Sequence, residues 1–210
     1  MNRTLTRDQM LELQHKHAPD VQLVAEPKHW IGSFYMPKSR VAKALYGDYP
    51  ESIVAPGKSP GVFLHELGHA TPSKLRSALH PFYSVGGAGS AMMLFAPGKA
   101  RLAGAALYAP TVAEEVRAWV AAKKYAKEHG IHIDAKYPAL GLGSYMLPPV
   151  YAAVHALKRK GMRPLTAKGR KIAWATTGAV IGVQEALDYL QGRKAVRALR
   201  RAQENGGQFR

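Results

Sequence analysis

The chain has no cysteine among its 210 residues, so disulfides and thiolate ligands are both excluded and any metal site must use histidine and carboxylate. Acid is scarce as well. Fourteen Asp and Glu stand against 30 Lys and Arg, a formal charge of +16. Such an imbalance favours anionic surroundings: lipid headgroups, nucleic acid or an acidic assembly partner. No recognised nucleic-acid motif accompanies the charge. The stretch Met1 to Asp8 has no apolar run, so no signal peptide is expected. The length suits one domain with a proper core, or a small domain with appendages.

What is present is organised around His65, Glu66, Leu67, Gly68 and His69. On a helix, residues four apart share a face, so His65 and His69 can grip one metal ion from the same side. Glu66, one step round, then reaches a water in the metal's open position. Zinc suits two imidazoles plus a carboxylate, and a water at such a site ionises near neutral pH. The flanking sequence predicts the helix that this geometry needs. Ser59 is a good N-cap, Pro60 fits the first helical position, and Val62, Phe63, Leu64 and Leu67 form an apolar flank. Pro72 ends the helix just after the second histidine. Gly68 leaves room for a neighbouring backbone or a substrate.

Before this helix, Thr6 and Gln9 form a capping box opening a helix from Arg7 to about His17. His15 and His17, two apart, point to different faces and read as surface residues. Val21 to Ala25, Trp30 to Tyr35 and Ile53 to Ala55 predict short strands, with a brief helix over Ser39 to Tyr46. A small sheet there can offer an edge to a peptide. After it, Thr71 and Pro72 open a second short helix to about His80. Residues 77–113 read as an apolar hairpin rich in glycine and alanine, turning at Pro97, Gly98 and Lys99. Small residues of this kind let helices pack closely. Thr111 and Glu114 form a further capping box, predicting a helix from Val112 to about His129 with Gly130 as its stop. Residues 137–157 are again free of Asp, Glu, Lys and Arg, with a break expected at Pro148 and Pro149. The helix from Ile172 runs through Leu190, and the basic tail frays at Asn205.

The fold class expected is therefore mainly α with a small N-terminal sheet: an α+β, zincin-like arrangement. Its parts are a metallopeptidase domain over 1–135 carrying the 77–113 hairpin, an apolar helical region over 136–192 and a basic tail over 193–210. A metzincin-type third histidine would fall where Leu75 stands, so the third ligand has to be a downstream acid. Glu114 is best used bonding back to Thr111. Glu115 shares its helical face with Val112, Ala118, Trp119 and Ala122, and an inward carboxylate is costly unless paired or metal-bound. Glu115 is the ligand preferred.

His65 to His69, followed by Glu115, Val116, Arg117 and Ala118, resembles the gluzincin metallopeptidases, in particular membrane-associated members such as the CAAX-processing and heat-shock zinc proteases. Their second motif is Glu-x-x-Ala-Asp. Trp119 stands where that motif has aspartate, so a carboxylate orienting a ligand histidine is missing or comes from elsewhere. The resemblance implies zinc-dependent hydrolysis of a peptide or protein substrate, with Zn2+ held by His65, His69 and Glu115 and with Glu66 as general base. Tyr145, Tyr108 and His80 are the candidates to assist the oxyanion.

Residues 77–98 and 137–157 also reach the length of a membrane span, about 20 apolar residues, with basic clusters at their ends. Membrane association through an embedded hairpin is expected. The alternative is a structural membrane or virion component, packed on an inner membrane among acidic partners, which keeps a zincin fold with little or no catalysis.

Overall fold

The computed structural model describes residues 4–24, 34–36, 51–54, 59–74, 83–158 and 166–204. The described chain is mainly helical, with one small sheet near its start, as the sequence predicts. The expected helix over Ser39 to Tyr46, most of the one ending near His80, and His80 itself lie outside the described residues. Two compact units emerge. One joins Met1–Ser73, Val116–Ala139 and Tyr189–Arg210; the other joins Lys74–Glu115 and Leu140–Asp188.

In the first unit, helix α1 (Arg7–His17) opens on the predicted capping box. Gln9 N donates to Thr6 Oγ1 at 3.2 Å, and Thr6 N donates to Gln9 Oε1 at 2.9 Å. Its buried side carries Met10, Leu13 and Gln14. Gln14 Nε2 donates to the carbonyls of Ala18 (2.8 Å) and Val21 (2.6 Å), so a buried amide satisfies the chain as it turns out of the helix. Strand β1 (Gln22–Val24) follows, then β2 (Phe34–Met36) and β3 (Ser52–Val54). The sheet order is β1-β3-β2, with β3 parallel to β1 and antiparallel to β2; Leu23 and Tyr35 both pair with Ile53. Helix α2 (Pro60–Ala70) packs against β2 and β3. Its Phe63, Leu64 and Leu67 are wholly buried, as is Ile53, and these four make the unit's centre. Ser59 and Pro60 take the N-cap and first-turn positions read from the sequence, although the Ser59 hydroxyl makes no capping bond.

In the second unit, α3 (Tyr83–Phe95) turns at Gly98 (φ 57°) into α4 (Ala100–Glu128), whose residues from Val116 onward belong to the first unit. This is the predicted hairpin, with its turn where Pro97, Gly98 and Lys99 put it. A Cβ on Gly89 would lie 2.8 Å from the Gly104 carbonyl oxygen, so glycine at both positions lets the two backbones meet. Met93, Tyr108 and Ala152 are buried together, the last from α5 (Lys136–Lys158), with Ala105, Val112 and Tyr145 packed around them. Helix α6 (Ala167–Glu204) starts in this unit, its residues from Tyr189 belonging to the first; the fraying expected at Asn205 lies outside the described residues.

Two expectations need correction. Helix α4 does not begin at Thr111 but already at Ala100, because the Ala- and Leu-rich stretch before Pro110 is itself strongly helix-forming. Thr111 is thus in the helix interior, its Oγ1 buried without a hydrogen-bond partner, and Glu114 is not its capping partner. Second, α5 runs through Pro148 and Pro149. A proline removes one donor and crowds the preceding turn, but here Pro148 and Ala152, one turn apart, are both buried, and packing carries the helix on. As for the membrane, no helix among the described residues is long and apolar enough to cross one. α3 has 13 residues, about 20 Å of helix against a hydrocarbon core of about 30 Å. α5 has the length at 23 residues, but glycine, serine, tyrosine and proline dilute its apolar character.

Candidate metal centre

Helix α2 presents His65 and His69 one turn apart, their Nε2 atoms 3.2 Å from each other. A tetrahedral ion with Zn–N bonds of about 2.05 Å requires its two nitrogens about 3.3 Å apart. The imidazoles therefore already stand at the separation of a shared ion. The rings are held edge to face, centroids 4.6 Å apart.

The C-terminal half of α4 fixes the far side of α2. A Cβ on Gly68 would run into the Ala118 carbonyl oxygen, so the two helices cross with backbone against backbone. The sequence allowed a backbone or a substrate at Gly68; it is a backbone. Arg117 then closes the end of α2, where the last carbonyls have no helical partner. Its guanidinium donates to the carbonyls of Gly68 (2.9 Å), His69 (3.3 Å) and Thr71 (3.5 Å), placing a cation at the negative end of the helix dipole. Thr71 Oγ1 donates back to the Leu67 carbonyl at 2.8 Å and shares a 2.7 Å hydrogen bond with the Tyr125 hydroxyl.

Glu115 stands immediately before these clamped residues on the same unbroken helix, two positions from Arg117. Its carboxylate and the two imidazoles place one ligand atom each within 4.8 Å of one another. Glu115 is buried, as is Glu114, but the residue grouped with the histidines is Glu115. Two neutral imidazoles and one carboxylate are a donor set that a borderline-soft divalent ion such as zinc accepts with a position to spare. Glu66 is buried too, at 8 % exposure, one residue round the helix from His65.

Trp119 lies where the resembling motif has aspartate, and its indole stacks on the His65 ring, centroids 4.3 Å apart and planes 22° from parallel. A flat aromatic face thus lies against the ring that a carboxylate would orient by accepting an N–H. Of the oxyanion candidates, Tyr108 sits on the same stripe of α4 as Glu115, seven residues earlier. Burial pushes its phenol above the ordinary value, and the Glu115 charge pushes it further. Tyr145 packs against the cluster containing Tyr108. His80 is outside the described residues.

Arg117 and Tyr125 were not legible as site residues. A basic or aromatic side chain on an amphipathic helix gives no sign of which distant carbonyl it will reach. The reading of His17 also needs correction. His15 is exposed, but the His17 side chain is only 11 % exposed. His17 stacks on Tyr125 (3.8 Å, 27°) and its Nε2 lies 3.2 Å from His129 Nε2. Burial lowers the His17 pKa below 6.5; the Glu128 charge opposes this, while His129, Lys16 and Lys124 add to it.

A comparison of the chain with family models, curated proteins and solved structures found no match.

Proposed function

We propose that this chain is a zinc-dependent peptidase of gluzincin type, with His65, His69 and Glu115 as the ligands and Glu66 as the general base. The observation that carries this reading is the convergence of two imidazole nitrogens and one buried carboxylate from separate helices within 4.8 Å. A zinc ion held by these residues would supply a Lewis acid for the scissile carbonyl and a water acidified towards neutral pH. The chain's own residues do the rest. Glu66 takes the proton of the attacking water and delivers it to the leaving amine. Trp119 keeps the His65 ring in plane for ligation. Arg117 fixes the end of α2 against α4, so that Glu115 stays in register with the histidines. The Tyr108 phenol, kept protonated by its surroundings, is an available donor to the developing oxyanion.

The membrane reading survives in altered form. With no crossing helix among the described residues, the proposal is a protein seated at an anionic membrane surface through its exposed apolar side chains. A structural role in a lipid-containing particle uses the same surface. The two readings differ at Glu66, because a purely structural ion needs ligands but no base.

The test is Glu66→Gln. Metal content, measured by elemental analysis, is expected to match wild type. Hydrolysis of an unfolded protein such as casein is expected to fall by about 10²- to 10⁴-fold. Undiminished hydrolysis with metal retained would overturn the mechanism. His69→Ala is expected to lose activity together with the metal held at this centre.

A further inference from the structure

Away from this centre, the ends of α1 and α4 bring together a second group of metal-ligating side chains: His17, Glu128 and His129, with one ligand atom from each within 4.8 Å of the others. We propose that these three residues form a second transition-metal site, one that takes Zn2+ more weakly than the first and ties the end of α1 to the end of α4. It depends on no catalytic role for the first centre.

The geometry repeats that of the first site. The His17 and His129 Nε2 atoms are 3.2 Å apart, again the spacing of two imidazoles on one tetrahedral ion, about 3.3 Å. Glu128 Oε2 lies 3.9 Å from His17 Nε2, within the range that one ion can bridge by a small rotation of an exposed side chain. The histidines are held rather than loose. His17 stacks on the Tyr125 ring with one face and meets His129 edge-on, centroids 5.4 Å apart. His129 follows the last turn of α4, where its N–H donates to the Tyr125 carbonyl at 3.0 Å and Gly130 reverses the chain at φ 62°. Both histidines sit at helix C-termini, whose dipoles favour a cation between them.

Two features make the site the weaker one. Glu128 is exposed, so water competes at the ligand face. Lys16 Nζ lies 3.4 Å from His129 Nε2, within reach of the lone pair a metal would need. Lys16 is a long, exposed side chain and can swing out, at some cost in metal affinity. A metal here would also steady Tyr125, whose hydroxyl bonds Thr71 at the end of α2.

The experiment is a titration of the full chain with zinc chloride, following stoichiometry by equilibrium dialysis and folding by circular dichroism. Wild type is expected to bind two equivalents of unequal affinity. His69→Ala should keep only the weak one, and His129→Gln only the tight one. Glu128→Gln, on the surface and harmless to folding, should weaken the second equivalent by at least the roughly tenfold that loss of an outer partner costs a metal site. Lys16→Ala should tighten it. A wild type that binds a single equivalent lost in His69→Ala, or a His129→Gln variant that still binds two, would overturn the second site and leave the peptidase proposal standing. If His69→Ala binds one equivalent that His129→Gln lacks but wild type hydrolyses nothing, the peptidase proposal fails and the second site stands.

Discussion

At the scale of single residues, Trp119 is the position where this chain departs from the motif it resembles, and the structure shows what its indole touches. An indole 4.3 Å from the His65 ring gives that ring a flat apolar face to lie against. Trp119→Phe should therefore keep most of the metal affinity, while Trp119→Ala should lower it by about 10- to 100-fold in competition with a chromogenic chelator. Equal affinity in both variants would mean that the stack does not position the ligand. Glu51 offers a separate residue-scale test. Burial, with Asp20 nearby, raises its carboxyl pKa above 4.5. A raised carboxyl pKa means that the fold holds the proton more tightly than the unfolded chain does. That contribution is fully present below the unfolded pKa and is lost as pH rises through the folded value. At neutral pH the ionised Glu51 is thus a liability. Glu51→Gln is expected to raise Tm at pH 7 and to change it little at pH 4, as read by thermal unfolding at the two pH values.

At the scale of elements, what could be read from the sequence was what local chemistry decides. The Thr6–Gln9 box, the start of α2 at Pro60, the turn at Gly98 and the stop at Gly130 each depend on residues within a few positions of one another. The same grammar misled at Thr111. A Thr three residues before a Glu also occurs in helix interiors, and only the helix-forming strength of residues 100–109 shows that α4 is already under way there. That Glu115 rather than Glu114 groups with His65 and His69 was legible because Glu115 falls on the apolar stripe of its helix. The Arg117 clamp and the His17–His129 meeting were not, the latter joining residues 112 positions apart. The crossing of α2 and α4 gives this scale its prediction. A methyl on Gly68 meets the Ala118 carbonyl, and backbone cannot step aside as a flexible side chain can. Gly68→Ala should destabilise by about 1–3 kcal/mol, lowering Tm and loosening the metal together, since parting the helices also moves Glu115 from the histidines. A variant with wild-type Tm and metal affinity would show that the crossing is softer than argued.

For the whole molecule, the charge of +16 and the apolar surface point the same way. Leu140, Leu147 and Tyr151 recur at seven and four residues along α5 and are 71 %, 68 % and 40 % exposed, so one face of that helix is apolar and open. On α6, Ile172 and Val183, eleven residues apart, share a face and are exposed, and Lys168, Arg170 and Lys171 stand exposed just before them. Apolar faces next to lysine and arginine suit a helix lying in the headgroup layer better than one crossing the hydrocarbon. Co-sedimentation with vesicles can separate the two contributions. The chain should pellet with vesicles containing phosphatidylserine and stay largely in solution with phosphatidylcholine alone. Each basic residue near an anionic surface is worth about 1 kcal/mol, so replacing Lys168, Arg170 and Lys171 with alanine should weaken binding by about 100-fold and flatten its dependence on salt. Leu140→Ser with Leu147→Ser should weaken binding while leaving the salt dependence intact, because apolar burial is not screened. If the protein ignores phosphatidylserine vesicles at low salt, the basic and apolar faces serve something other than lipid, and a protein partner carrying its own acidic and apolar surface becomes the better occupant.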